Sequence, residues 1–131
     1  MIINGNGQQS RKCILIADDD ADDRELIKVA FEENAAEVEI SFVENGEELM
    51  QYLHRQGKYK EEAQYPSPSL ILLDLNMPKK DGREALRAIK EDATLKSLPI
   101  VILTTSTATK DIAKCYELGV NSYMIKPTNF A

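Results

Sequence analysis

Four groups of polar residues stand directly behind apolar runs. Asp18, Asp19 and Asp20 follow residues 13–17, Asp74 follows residues 70–73, Thr104 and Thr105 close the run that begins at Pro99, and Lys126 with Pro127 follows residues 122–125. If the first and third runs are neighbouring strands, their carboxylates lie within a few ångströms, and mutual repulsion makes such a site costly when empty. A hard cation relieves that cost. Oxygen ligands with no His or Cys in the pattern select Mg²⁺ or Mn²⁺ over zinc, and a small carboxylate count leaves positions for water and a phosphoryl oxygen. These residue types therefore point to phosphate chemistry beside a divalent cation.

Each residue also has a plainer reading. Asp18 and Asp19 suit the first turn of a helix, where the macrodipole favours acids, and Asp20 with Asp22 and Asp23 continues that acidic turn. Lys126 before Pro127 suits a solvated turn, although a lysine that follows a buried strand fits that reading poorly. Met77 and Pro78 shape the turn after Asp74, and Gly82 relieves a turn; neither role is chemical. His54, the single histidine, falls at the polar end of a helical segment and reads as solvated.

The elements that must position these groups follow from periodicity. Residues 13–17, 70–73 and 99–103 are short, continuous and apolar, as strands buried on both faces are. Residues 38–43 begin by alternating and residues 122–125 form a shorter run, which suits the outer positions of a sheet. Leu26, Ile27, Ala30 and Phe31 mark one amphipathic helix, and Leu49, Met50 and Leu53 mark the next. Asn45 with Glu48 resembles a capping arrangement, Leu86 with Ile89 and Ile112 with Tyr116 mark two further helices, and Gly119 supplies a stop. Strict alternation of strand and helix requires crossover connections, hence an α/β fold with a doubly wound, five-stranded parallel sheet. The polar segment 56–69 reads as a surface excursion.

At 131 residues the chain is the size of one domain, expected as a flexible N-terminal tail over 1–11 and a folded unit over 12–131. A net charge of -6 and a pI near 4.8 argue against direct nucleic-acid binding, which needs clustered Lys and Arg. No segment approaches the roughly 18 apolar residues of a membrane span, nor a signal-peptide core, so a cytoplasmic location is expected. Cys13 and Cys115 lack metal or redox spacing and read as reduced structural thiols.

Taken together, Ile14-Leu15-Ile16-Ala17-Asp18-Asp19-Asp20, Asp74-Leu75-Asn76-Met77-Pro78 with Gly82, Leu103-Thr104-Thr105-Ser106, and Tyr123-Met124-Ile125-Lys126-Pro127 resemble two-component receiver domains. The resemblance covers nearly the whole chain from Lys12. It implies a flavodoxin-like sheet of order 2-1-3-4-5 with ligands at the carboxyl ends of the strands. It makes Asp74 the phospho-acceptor, attacking the phosphohistidine of a sensor histidine kinase to form an acyl phosphate. Asp19, Asp74 and the backbone carbonyl of Asn76 would ligate Mg²⁺, with Asp18 acting mostly through water. Lys126 and Thr104 would meet phosphoryl oxygens, completing the catalytic set with Asp74, and Tyr123 would be the rotamer partner of Thr104 in a switch.

The implied protein is a phospho-acceptor signalling domain, with self-phosphorylation and autodephosphorylation as its only reactions. A phosphatase of the haloacid-dehalogenase type would want an Asp two residues after the nucleophile, where Asn76 stands. A degenerate receiver acting only as a binding module would be expected to have lost an acid, Thr104 or Lys126; all are present. The long segment before the third strand, Leu75-Asn76-Met77-Pro78 and Leu103-Thr104-Thr105-Ser106 are similar to the small single-domain regulators paired with bacterial phytochromes. Expected partners are thus a sensor kinase, in one form of phytochrome type, and a downstream protein, with homodimerisation also open. The family continues into a fifth helix after the Lys-Pro pair, whereas the sequence stops at Ala131. The expectation is that the natural protein runs on into an amphipathic helix or that another subunit covers the sheet there.

Overall fold

The computed structural model describes residues 12–34 and 37–126. The expected tail over 1–11 and the segment from Pro127 onward lie outside the described residues. Five strands, β1 (Lys12–Ala17), β2 (Val38–Val43), β3 (Leu70–Leu73), β4 (Ile100–Thr104) and β5 (Ser122–Ile125), alternate with α1 (Ala21–Asn34), α2 (Gly46–Leu53), α3 (Gly82–Glu91) and α4 (Thr109–Leu118). All strand pairs are parallel, in the order β2-β1-β3-β4-β5. The apolar runs take the interior, and β2 and β5 form the edges, because only an interior strand must be apolar on both faces.

Register fixes the site. Ala17 pairs with Leu73, so Asp18 and Asp74 leave the sheet side by side, and Thr104 pairs with Ile125, so Lys126 emerges directly beyond it. Backbone bonds carry the ladder one residue further: Asp18 N donates to Val43 O at 3.1 Å, Asp74 N to Ala17 O at 3.0 Å and Lys126 N to Thr104 O at 2.7 Å. Four site residues are thereby held by the sheet rather than by loops.

The larger apolar cluster joins Leu15, Ile71, Leu73, Ile100 and Ile102 to Leu49 of α2, Leu86 and Ile89 of α3 and Cys115 of α4. On the opposite face Ile27 of α1 packs on Ile14 and Ile16, flanked by half-buried Phe31, Ile40 and Leu72. Both cysteines are buried and free. No described helix is long and apolar enough to cross a membrane.

Helix ends follow local chemistry. Asp20 accepts from Asp22 N at 2.9 Å and Asp23 N at 3.1 Å, which caps α1. Asn45 accepts from Glu48 N at 2.8 Å, while the Glu48 carboxylate takes Glu44 N at 3.0 Å. Gly119, at φ +98°, closes α4 in the left-handed region that a side chain disfavours.

Two expectations are corrected. The segment 56–69 is no mere surface excursion: a 3₁₀ turn, Gly57–Lys60, buries Tyr59 in the main core. Its ring lies 5.1 Å from Tyr52 and 4.9 Å from Tyr65, and Arg55 ties the segment down by donating to the carbonyls of Tyr59 and Tyr65 and to the Ser67 hydroxyl. Gly82 does not serve a turn. It opens α3 where a Cβ would stand 2.2 Å from the Asp74 carbonyl oxygen, so its role is to let the helix approach the backbone of the strand end.

A bidentate ion pair joins α3 to α4. Arg83 Nε donates to Asp111 Oδ1 at 2.9 Å and Nη2 to Oδ2 at 2.7 Å, and Ser106 Oγ donates to Oδ2 at 2.7 Å. The guanidinium, with help from the Ser106 hydroxyl, holds the Asp111 carboxyl well below the usual carboxylate range.

Two outcomes follow from this packing. Gly82→Ala should destabilise the fold by about 1–3 kcal/mol or more, since the clash is with backbone that cannot swing aside; an unchanged urea midpoint would refute the close-approach account. A carboxyl depressed in the folded state adds stability above its unfolded value, and that stability is lost as pH falls towards the folded value. The stability gap between wild type and Asp111→Asn should therefore stay constant from pH 8 to 5 and shrink below about pH 4. Urea melts across that range check it, and a gap that widens towards acid would contradict it.

Candidate functional site

The strand ends deliver Asp18, Asp74, Thr104 and Lys126, and the loop after β1 adds Asp19. Lys126 is buried, and its ammonium donates to Asp18 Oδ2 at 2.6 Å, Asp23 Oδ2 at 2.8 Å and Asp74 Oδ2 at 3.0 Å. Burial opposes the charge, but the three carboxylates outweigh it and lift the lysine pKa above its ordinary value. The other oxygen of Asp74 accepts from Thr104 Oγ1 at 2.8 Å and Asn76 N at 3.0 Å. Both oxygens of this nearly buried carboxylate are thus committed, and the acid is fixed in one orientation.

Asp18 is fixed as firmly. Its Oδ1 takes Asp20 N at 2.9 Å, and its backbone carbonyl takes Arg24 Nη1 at 2.8 Å. Asp19 differs: it is exposed, and among the described residues no donor is bonded to its carboxylate. Oxygens of Asp18, Asp19 and Asp74 lie within 4.8 Å of one another. That all-oxygen set, with one carboxylate lacking a protein donor, fits a hard divalent cation. Asp19 and Asp74 face an open cleft of about 500 Å³, also lined by Asp20, Asp22, Asp23, Asn76, Thr105 and Lys126.

Asp18, Asp19, Asp74, Thr104 and Lys126 are therefore brought together as the sequence suggested. Asn76 meets Asp74 through its backbone, while its side chain lies 3.4 Å from both Thr104 Oγ1 and the Arg83 guanidinium. Tyr123 does not reach the cleft. Its hydroxyl donates to the carbonyl of Ser106 at 3.0 Å, two residues beyond Thr104.

Sequence reasoning missed two features. Asp23 was assigned only to the acidic first turn of α1; the usable signal was its place one helical turn above the Asp20 cap, where a side chain reaches back over the strand ends. The Arg83–Asp111–Ser106 group had no sequence signal, because its members lie on separate elements.

Comparison with known proteins agrees with this geometry. The profile of the response regulator receiver domain matches residues 14–131. Response regulator Rcp1 of Synechocystis sp. is 42% identical over 118 residues, covering 90% of this chain and 78% of that protein. Among solved structures, the phosphorylated cyanobacterial phytochrome response regulator RcpA superposes with a TM-score of 0.84 at 44% identity, covering 92% of this chain and 84% of that one. The Mn²⁺-bound form of Rcp1 also superposes with a TM-score of 0.84, at 42% identity, over 90% of this chain and 83% of that one. With its five-stranded parallel sheet of order 2-1-3-4-5 and its acids at the strand ends, this chain belongs to the response regulator receiver domain family.

Proposed function

We propose that Asp74 is the phospho-acceptor of this receiver and that a histidine kinase supplies the phosphoryl group. The observation that carries the reading is the Asp74 carboxylate itself, held at the mouth of an open cleft between the Lys126 ammonium and the Thr104 hydroxyl. An oxygen of Asp74 attacks the phosphorus of a phosphohistidine; the new O–P bond forms as the P–N bond breaks, and the imidazole departs. Lys126 and Thr104, already on the acceptor, need only turn from its oxygens to those of the arriving group. Fixed donors and an ammonium at that point meet the charge spread over the phosphoryl oxygens.

Asp19, Asp74 and the backbone carbonyl of Asn76, with Asp18 acting through water, would hold Mg²⁺, which when bound offsets phosphoryl charge. The Mn²⁺-bound form of the similar Rcp1 supports a divalent ion. Likeness to RcpA supports a phytochrome-type kinase as donor. The reading makes the chain a cytoplasmic signalling protein whose only reactions are its own phosphorylation and dephosphorylation.

Transfer of Thr104 from Asp74 to a phosphoryl oxygen would draw the segment after β4 towards the site. Tyr123, bonded to the Ser106 carbonyl, sits on that segment and reports its position. A full swing from 1:99 to 99:1 requires about 5.5 kcal/mol of differential stabilisation. New charge-assisted bonds to the phosphoryl group are of the right strength for it. The reshaped surface around α4 and β5 would then meet a downstream protein, either an effector or a second copy of the chain.

Acetyl phosphate with Mg²⁺ is expected to add one phosphoryl group, and Asp74→Asn to abolish the addition; undiminished labelling of that variant in intact-mass spectra would overturn the acceptor assignment. Asp19→Ala should weaken Mg²⁺ binding about tenfold or more, since loss of even an outer-shell partner costs 10- to 100-fold. Labelling should slow while the melt is unaffected, and a magnesium titration identical to wild type would remove Asp19 from the metal site.

A further inference from the structure

Asp23 has no part in the chemistry described so far, yet it makes one of the three bonds that saturate the Lys126 ammonium, at 2.8 Å. It reaches the lysine from a different direction than the other two acids. Asp18 and Asp74 stand at strand ends, whereas Asp23 comes from the first turn of α1, whose backbone is fixed by the Asp20 cap. Its side chain is 21% exposed against 3% for Lys126, so of the pair it is the one that meets solvent.

The three acids differ in what a phosphoryl group would do to them. Asp74 would become the acyl phosphate and give up its claim on the lysine; Asp18 would turn towards the cation. Asp23 has no such alternative, because among the described residues its carboxylate is bonded to Lys126 alone. An ammonium has three N–H donors, and all three are taken. A phosphoryl oxygen arriving at Asp74 therefore meets a lysine that Asp23 still holds towards α1 by one bond, and must approach against the charge of Asp23 as well.

We propose that Asp23 is a positioning residue that withholds Lys126 from the phosphoryl group and so sets how readily Asp74 is loaded. The inference rests on the acceptor reading above. Neutralising Asp23 weakens its hold on one ammonium donor and removes one opposing charge, and both changes favour an anion at Asp74.

Asp22 supplies the control. It lines the same cleft with the same charge but, among the described residues, makes no hydrogen bond or ion pair with Lys126. At saturating Mg²⁺, beryllofluoride titrated into the full chain and followed by amide NMR should show half-saturation in Asp23→Asn at about three- to tenfold lower concentration than in wild type, and less than twofold lower in Asp22→Asn. Raised salt should erase the Asp22 effect and leave most of the Asp23 effect, since exposed charges are screened more than partly buried pairs. Asp23→Ser, which also removes the charge, should behave as Asp23→Asn and stands in should that variant not fold. Equal shifts in the Asp22 and Asp23 variants, or weaker binding on neutralising Asp23, would overturn the proposal alone. Failure of wild type to bind beryllofluoride at Asp74 would overturn the acceptor reading and this inference with it.

Discussion

A lysine ammonium almost wholly out of water must have its charge matched where it stands, because a buried unpaired ion costs several kcal/mol or more. Lys126 is such a group, and the fold is arranged around satisfying it. Its partners lie 108, 103 and 52 residues away along the chain. The parallel order β2-β1-β3-β4-β5, with every strand ending on the same side, brings them together. The central strands bring Asp18 and Asp74, β5 brings the lysine, and the capped turn of α1 adds Asp23. Removing any one acid would leave a donor on a buried charge unmet, so the site and the sheet support each other.

Close packing around Asp74 serves the same end. Gly82 lets α3 press on the Asp74 backbone, and the next residue, Arg83, carries the contact on to Asp111 of α4. Asp111 holds Ser106, and the Ser106 carbonyl holds Tyr123. Asp74 is therefore linked to the α4–β5 surface along two routes that meet at Ser106: through Thr104 and the segment that follows β4, and through Arg83 across the helices. A shift of Thr104 by a bond length has packed, hydrogen-bonded neighbours to push against, which is how a small change at a site reaches a surface.

Much of this was readable from sequence because it depends on local pattern. Residues 13–17, 70–73 and 99–103 are apolar without interruption, and only interior parallel strands require that. Acids immediately after such runs, and a lysine immediately after the shorter outer run 122–125, had to fall at the carboxyl end of the sheet. Asn45 and Glu48 showed their cap by spacing alone. Strand order was different in kind: periodicity does not rank strands, and the order came from family resemblance. What stayed hidden depends on three-dimensional approach. Tyr59 looks like one more residue of a polar segment until Tyr52 and Tyr65 are seen around it, and Gly82 looks like a turn glycine until the Asp74 carbonyl is placed over it. Arg83 and Asp111 are ordinary helix-surface residues in sequence and meet only because α3 and α4 lie side by side.

In the proposed reaction one buried lysine and one threonine, both resting on Asp74, pass to a phosphoryl group bound there. A crystal structure of the protein grown with Mg²⁺ and beryllofluoride tests it most directly. Beryllium is expected bonded to a carboxylate oxygen of Asp74, with the Lys126 ammonium and the Thr104 hydroxyl each within hydrogen-bond distance of a fluorine. Beryllofluoride on another residue, or on Asp74 with Lys126 and Thr104 still bonded only to carboxylates, would contradict it.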